Sequence, residues 1–273
     1  MNKKEITAEF FNQVASSYDR VGPRLFSHFG HCFAKLAQIP ENASVLDIAS
    51  GRGAVLFPAA EMAGPYGRVT GIDLSDEMVR ETSAEIAELN LKNAEMLKMD
   101  ADNLDFPDNS FDFVLCGFGI FLFSDFQQLF KKFARVLKPG GQVGVTVFSE
   151  RGKYFKWFEE LIFSFTETCD LQGIEIQKTY SPRLFTSAEL EEILKTAGFE
   201  GVHVTDGEAG FIYNDEDELW ASLWSHGARP FISQLSPELQ DNFKTFVYDY
   251  VQEIKHSDGI HTPSVGVLYG FGN

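Results

Sequence analysis

Short apolar runs that end in acidic or small residues alternate with longer stretches of helical spacing along much of the chain. Residues 45–48, 68–73 and 111–116 form three such runs. At residues 142–148 apolar residues alternate with polar or small ones, which predicts a further strand. Short continuous apolar runs are typical of strands buried in a parallel sheet. The helical stretches between them indicate crossover helices, so the pattern predicts an α/β fold with a doubly wound, mostly parallel sheet.

Two helices are predicted before the first strand, over residues 7–37 with a break at Gly22-Pro23. A segment in this position lies across an edge of the sheet or across the open carboxyl ends of its strands. The second arrangement covers a ligand, so we expect these to be lid helices.

The carboxyl-terminal part predicts an insertion. A sixth strand is predicted at 202–205 and a last strand at 265–269, with about 60 residues between them, whereas hairpin loops are far shorter. Asp215 and Ser236 each begin a predicted helix in this interval. We expect one domain, with lid helices at 1–40, a core with the parallel strands at 41–205, a helical cap at 206–262 packed on the amino-terminal helices, and the last strand at 263–273.

Composition narrows the choice of partners. The chain has 273 residues and a formal net charge of −17, which disfavours nucleic acid and anionic membrane surfaces, because both attract clustered Lys and Arg. Ordinary solubility and steering of a cationic substrate both explain that charge. The three cysteines lack metal or redox spacing, and no apolar run has the length of a membrane span. We expect a cytoplasmic protein without a metal ion, a monomer or a homodimer, that acts on a small molecule.

The turn after the first strand is a candidate nucleotide site. Ser50, Gly51 and Gly53 allow a tight turn into the next helix, where a ligand can approach the backbone. Asp73 ends the second strand about 20 residues later, where an acid can accept hydrogen bonds from ribose hydroxyls. These two strands leave open whether the nucleoside carries a nicotinamide or a sulfonium. The pattern D-x-A-x-G-x-G lacks the third glycine of a pyrophosphate-binding turn, which disfavours a dinucleotide.

The sequence MDADNLDFPDNSFD at 99–112 resembles the segment that class I S-adenosylmethionine-dependent methyltransferases place beside the adenine. With the glycine turn, the acid of the second strand and FARVLKPGG at 133–141, four motifs follow in the family's order, and the resemblance covers roughly residues 10–199. The opening FFNQVASSYDRV also resembles the ubiquinone and menaquinone C-methyltransferase group. The resemblance implies a seven-stranded Rossmann-like methyltransferase fold, with S-adenosyl-L-methionine as cofactor and S-adenosyl-L-homocysteine as its product.

The resemblance also implies residue roles. An acid at Asp100 holds the adenine amino group, Ala101 presents its backbone N–H to the ring, and Tyr18 helps to close the site over the cofactor. From its own position before the turn, Asp47 is expected either to orient backbone amides of the loop or to reach the methionine amino group only through water. The expected cofactor-binding residues are Tyr18, Asp47, Ala49, Ser50, Gly51, Gly53, Asp73, Leu74, Met78, Asp100, Ala101, Cys116 and Phe118. Ala49 stands where the family usually has glycine, and we expect it to avoid a left-handed conformation, since alanine disfavours positive φ.

Methyl transfer from a sulfonium requires alignment of donor and acceptor and exclusion of water, and it needs a base only if the acceptor loses a proton. The candidate bases, chosen by position near the predicted lids, are His226, Tyr18, His28 and His31. His226 is preferred, and a structural role is the alternative for each histidine. The candidate substrate-binding residues are Phe121, Trp224 and Arg229, of which Arg229 suits a carboxylate or a phenolate.

The expected acceptor is a small apolar or aromatic metabolite, methylated at carbon, oxygen or nitrogen. Some of the 27 phenylalanines are expected to line its cavity. Two alternatives remain: an enzyme that uses the bound sulfonium only as an electrostatic group, and a catalytically silent scaffold protein.

Overall fold

A central sheet with helices on both faces organises the chain. The structure, a computed structural model, describes residues 3–169, 182–225 and 228–273. The helices are α1 Lys3–Val14, α2 Leu25–Leu36, α3 Leu56–Ala63, α4 Asp76–Glu88, α5 Phe126–Val136, α6 Tyr154–Thr168, α7 Ser187–Thr196, α8 Glu216–Ser225, α9 Arg229–Ile232 and α10 Pro237–Val251. The strands are β1 Ser44–Ile48, β2 Arg68–Asp73, β3 Ala94–Lys98, β4 Phe111–Gly117, β5 Leu137–Phe148, β6 His203–Tyr213, β7 Lys255–His256 and β8 Gly259–Gly272.

The strand order is β3-β2-β1-β4-β5-β8-β6, with the first five strands parallel and β8 antiparallel to both of its neighbours. The predicted doubly wound α/β fold is therefore confirmed. Eight strands occur in the described part of the chain instead of the expected seven, because the short β7 forms a tight hairpin with β8.

The sixth and last strands are longer than predicted. β6 continues to Tyr213, where it pairs with Ile260, and β8 begins at Gly259. Residues 206–210, DGEAG, have the composition of a loop, yet backbone pairing with β8 holds them in the sheet. The predicted boundaries at 205 and 265 were wrong, because strand pairing outweighed local preference. The β6–β8 pair, from 203–213 and 259–272, is called the long ribbon below.

Helices α8 and α10 connect the two strands of the long ribbon, and α10 packs against both α6 and α8. Phe243 of α10 lies with its ring centroid 4.8 Å from that of Phe165 in α6 and 5.8 Å from that of Trp220 in α8. The loop between α1 and α2 packs against the end of β6 at Gly22, where a Cβ would lie 2.9 Å from Cε1 of Tyr213. No helix within the described ranges combines the length and apolar character needed to cross a bilayer.

Candidate functional site

A cavity of about 220 Å³ lies where the loops after β1, β2 and β4 meet. This is the position at which doubly wound sheets bind ligands. It is called the first cavity below. Its lining comprises Lys4, Thr7, Ala8, Phe11, Tyr18, Asp19, Phe26, Gly30, Asp47, Ala49, Ser50, Gly51, Arg52, Ala54, Val55, Ile72, Asp73, Leu74, Ser75, Met78, Met99, Asp100, Ala101, Asp102, Gly117, Phe118, Gly119, Leu122, Phe123 and Ser124.

The carboxylate of Asp73 holds two turns at the edge of this cavity. Its Oδ2 accepts the Gly51 N–H at 2.9 Å, and its Oδ1 accepts the Ser75 N–H at 2.9 Å. Burial raises the pKa of Asp73, and the backbone donors oppose that shift. Each carboxylate oxygen has a further lone pair, so the group can accept additional bonds from a ligand.

Asp47 is a buried carboxylate that lines the same cavity. The residue is 1% exposed, and neither carboxylate oxygen has a hydrogen-bond partner among the described residues. Burial raises its pKa to about 7, the nearby Ser50 hydroxyl and Leu56 N–H oppose this shift without reaching good hydrogen-bond geometry, and the charge of Asp73 adds to it. An uncompensated buried carboxylate is costly, so this position suits a ligand that brings positive charge.

The glycine turn leaves space beside Asp47. Gly51 has a φ of 53°, and a Cβ on it would meet no atom within 4 Å, so the backbone there borders open space. Gly53 has a φ of 78°, and a Cβ on it would lie 2.5 Å from the Phe57 ring. Gly53 therefore serves the packing of the turn, and it does not line the cavity.

Ala49 adopts the conformation that we expected it to avoid. Its φ is 53°, so the expectation of a negative φ was wrong. The left-handed region costs a residue with a Cβ about 1–2 kcal/mol. The turn imposes this conformation because the following backbone N–H groups of Ser50 and Gly51 must reach the Ile72 carbonyl and the Asp73 carboxylate.

Helix α1 closes the end of the cavity formed by the loop after β3. Lys4 Nζ lies 2.7 Å from Oδ2 of Asp100 and 2.5 Å from Oδ2 of Asp102. Asp100 also accepts the Asp102 N–H at 2.9 Å, and Lys132 pairs with Asp102 at 2.5 Å. Asp100, which the resemblance assigns to the adenine amino group, is thus paired with Lys4 of α1.

The segment between α1 and α2 is anchored from both sides. The buried Asp19 carboxylate accepts the N–H groups of Phe26 and Ser27 at 2.9 and 2.7 Å, which satisfies donors in the first turn of α2. Arg52, in the glycine turn, donates to the Ala15 carbonyl at 2.6 Å and pairs with Glu85 at 3.2 Å. The loop that borders the first cavity therefore also holds the amino-terminal segment in place.

A second cavity, of about 340 Å³, adjoins the first. It is called the aromatic chamber below. It is lined by Phe10, Phe11, Tyr18, Val21, Pro23, Arg24, Leu25, Phe26, Phe118, Phe121, Phe148, Tyr154, Phe155, Phe158, Pro182, Tyr213, Ser222, Leu223 and Ala228. Phe11, Tyr18, Phe26 and Phe118 line both cavities. These four rings form the boundary between them.

The boundary rings contact one another. The Tyr18 and Phe26 rings stack with centroids 5.0 Å apart, and Phe118 meets Phe26 edge-on at 5.3 Å. Phe118 has a φ of 54°, a strained conformation for a large side chain that often occurs at functional sites. The pKa of Tyr18 is raised well above its ordinary value by burial and by the charges of Asp19 and Asp73. Its hydroxyl therefore stays protonated at neutral pH and suits a donor better than a base.

Most residues predicted to bind a cofactor come together in the first cavity. Tyr18, Asp47, Ala49, Ser50, Gly51, Asp73, Leu74, Met78, Asp100, Ala101 and Phe118 line it. Gly53 and Cys116 do not. Cys116 lies fully buried in β4, where burial raises the pKa of its thiol.

The predicted catalytic and substrate residues are dispersed. Phe121 lines the aromatic chamber, but Trp224 and Arg229 line neither cavity, and the Arg229 guanidinium lies 5.7 Å from the Trp224 ring centroid. His28 and His31 are exposed on α2 and line neither cavity, because α2 turns Phe29 and Phe33 into the core instead. His226 lies outside the described residues.

Several site residues were missed from the sequence. Lys4 and Asp19 act through contacts with partners that no local pattern links to them, at Asp100 and at the first turn of α2. Phe10, Phe11 and Phe26 had a signal, since the helical spacing of phenylalanines marked the lid helices. The many phenylalanines predicted a lined cavity, although not which of them would line it.

A profile of the ubiE/COQ5 methyltransferase family matches residues 1–214 of the chain. The chain belongs to this family. The methyltransferase class and the S-adenosylmethionine cofactor inferred from the sequence are confirmed by this membership. In the described parts of the chain, no cluster of three or more His, Cys, Asp or Glu side chains is arranged to hold a metal ion.

Two relatives and one solved structure illustrate the similarity. Aklanonic acid methyltransferase DauC of Streptomyces sp. (strain C5) is 37% identical over 144 residues, which make up 53% of this chain and 65% of that protein. Demethylmenaquinone methyltransferase of Listeria monocytogenes serotype 4a (strain HCC23) is 31% identical over 221 residues, 76% of this chain and 93% of that protein. Phosphoethanolamine N-methyltransferase 2 of Haemonchus contortus, solved with phosphomonomethylethanolamine and S-adenosylhomocysteine, superposes with a TM-score of 0.54 at 21% identity, covering 90% of this chain and 52% of that one. That structure shows the shared fold.

The left-handed conformation of Ala49 predicts a stabilising substitution. Ala49→Gly should raise the free energy of unfolding by about 0.5–1 kcal/mol, because glycine adopts positive φ without steric cost. Urea denaturation measures this change. Ala54→Gly, in the same turn but without positive φ, is the matched control and should destabilise. Equal destabilisation by both substitutions would contradict the strain assigned to Ala49.

The raised pKa of Asp47 predicts a pH-dependent stability. Between about pH 4 and pH 7 the unfolded chain has lost the Asp47 proton while the folded chain retains it, so this residue lowers stability as the pH rises through that range. Asp47→Asn removes the effect, so its stability relative to wild type should increase by about 2 kcal/mol from pH 5 to pH 7. Urea denaturation at both pH values is the measurement, with the exposed Asp105→Asn as control. The raised pKa of Asp47 would be refuted if the difference in unfolding free energy between Asp47→Asn and wild type were the same at both pH values.

Proposed function

We propose that this chain transfers the methyl group of S-adenosylmethionine to a small apolar or aromatic metabolite, at carbon, oxygen or nitrogen. The observation that carries the proposal is the pairing of two cavities across one aromatic boundary. The first cavity holds the unpartnered carboxylate of Asp47 beside Asp73, and the aromatic chamber adjoins it through Tyr18, Phe26 and Phe118.

The residues of the first cavity fit the cofactor. The buried Asp47 carboxylate lacks a partner among the described residues, and S-adenosylmethionine carries both an ammonium and a sulfonium. The open space beside Gly51 allows close approach to the backbone, and Asp73 retains acceptor capacity for ribose hydroxyls. When bound, the cofactor supplies an electrophilic methyl group on a positively charged sulfur.

The chain's own contribution is alignment and exclusion of water. Asp73 holds the Gly51 and Ser75 turns in one arrangement, which limits the positions that the donor can take. The rings of Tyr18, Phe26 and Phe118 keep the boundary between the cavities apolar. Holding two reactants in line and away from water accounts for much of the rate acceleration of such a displacement.

The lining of the aromatic chamber supports an apolar or aromatic acceptor. Most of its described lining residues are aromatic or aliphatic, as is usual for sites that bury ring systems. The names of the two relatives, for aklanonic acid and demethylmenaquinone, agree with this class of acceptor. A use of the bound sulfonium without methyl transfer, and a silent scaffold, have no support in these relatives.

The domain division at 1–40, 41–205, 206–262 and 263–273 stays a proposal, with the boundary at 205 moved to the end of the long ribbon's first strand at 213. We also propose a cytoplasmic monomer or homodimer without nucleic-acid partners. The net charge of −17 supports the absence of nucleic-acid partners. The mass in solution distinguishes a monomer from a homodimer.

Cofactor binding tests the proposed function. Isothermal titration of wild type with S-adenosylmethionine and S-adenosylhomocysteine should show binding of both. Asp73→Ala should weaken it by at least about 1–3 kcal/mol, because ribose hydrogen bonds are lost and the Gly51 and Ser75 turns lose their shared acceptor. Asp76→Ala, an exposed acid three residues later that pairs with Lys98, is the matched control and should leave the affinity unchanged.

The outcomes separate the hypotheses. No binding of either compound would reject an enzyme of this class. Binding without loss of the methyl group to any tested acceptor would favour the electrostatic alternative. Unchanged affinity in Asp73→Ala would contradict the role of that residue while leaving the function open to other contacts.

His226 stays the proposed general base for acceptors that must lose a proton. The chain places it between Ser225 and Ala228, and Ala228 lines the aromatic chamber. His226→Ala should reduce turnover and remove a titration from its pH profile. Profiles and rates equal to those of wild type would eliminate His226 as the base.

A further inference from the structure

Three residues with a hydroxyl group line the aromatic chamber without lining the first cavity. Tyr213 ends β6, Ser222 lies in α8 and Tyr154 begins α6. Tyr213 Oη and Ser222 Oγ lie 3.4 Å apart. None of these three residues takes part in the contacts proposed above to align the methyl donor or to exclude water.

The packing around these groups holds them in defined positions. A Cβ on Gly22 would lie 2.9 Å from Tyr213 Cε1 and 3.6 Å from Ser222 Cβ, so the α1–α2 loop packs directly on both residues. Tyr213 and Ser222 are 4% and 6% exposed. The Tyr154 ring is parallel to that of Phe158 within 6°, at a centroid distance of 6.4 Å. A site with so little freedom loses little entropy when it binds a ligand.

The chemistry of the three groups favours an uncharged oxygen. Burial raises the pKa of both tyrosines, so they stay neutral at physiological pH. A hydroxyl has one donor and two acceptor positions, so the Tyr213 hydroxyl can pair with Ser222 and still bond a ligand. Among the described lining residues of the chamber, Arg24 is the one charged side chain, and it is exposed.

We propose that Tyr213, Ser222 and Tyr154 recognise a carbonyl or hydroxyl oxygen on a planar apolar acceptor. These three residues are not part of the aromatic boundary between the two cavities. A bond from them to the acceptor oxygen would therefore fix the orientation of the acceptor and select the atom that faces the cofactor. The orientation rests on the proposed function. Recognition of the oxygen does not, because it is measured by binding without methyl transfer.

The test compares two probes that differ by one oxygen, 1-naphthol and naphthalene, titrated into the full chain by isothermal calorimetry. Wild type should bind 1-naphthol roughly three- to tenfold more tightly, as expected for one net hydrogen bond. Tyr213→Phe, which keeps the ring, and Ser222→Ala should each bring this ratio towards one and leave the naphthalene affinity unchanged. Tyr66→Phe, at a tyrosine that is 88% exposed, is the matched control and should preserve the ratio.

Several outcomes would overturn the proposal. They are a wild-type ratio of one, absence of 1-naphthol binding, or an unchanged ratio in both variants. Parallel loss of both probes in Tyr213→Phe and Ser222→Ala would show a packing role instead. Thermal unfolding of each variant identifies a folding defect, and Ser222→Ala decides the question if Tyr213→Phe does not fold. Failure of S-adenosylmethionine to bind would reject the proposed function and leave the probe comparison standing.

Discussion

The Asp73 carboxylate is the contact on which the rest of the site depends. It accepts one N–H from the loop after β1 and another from the loop after β2, so a single side chain positions both turns. Backbone donors near a cavity need such partners to keep one conformation. Arg52 lies next in sequence to Gly51 and binds the Ala15 carbonyl and Glu85. Asp73 and Arg52 therefore connect the loops after β1 and β2 to the amino-terminal segment that forms part of the boundary between the two cavities.

Much of the lining of the first cavity could be predicted because its signals are local. A buried apolar run followed by small residues specifies a strand and a turn, and Asp73 follows at the spacing that the parallel sheet requires. Asp100 and Ala101 were assigned through the resemblance of a contiguous segment. In each case the residues that matter lie within one strand or its following loop, and the sheet topology brings these loops together.

The remaining features depend on distant contacts. The strand at 206–210 has a loop-like composition and forms because β8 pairs with it. Ala49 takes a positive φ because the turn must deliver its next two N–H groups to β2. His28 was chosen for its position near a predicted lid, and sequence position alone could not show that α2 buries Phe29 and Phe33 and leaves His28 exposed. Lys4 and Asp19 reach partners that no sequence spacing connects.

The long ribbon has a further consequence for how acceptor choice can change. It carries α8 to the chamber, and Ser222, Leu223 and Ala228 lie beyond residue 214, where the family match ends. None of these three residues lines the first cavity. Under the proposed function, substitutions there would change acceptor selectivity without altering the residues that line the first cavity, so the region after the ribbon's first strand could diversify independently of the donor site.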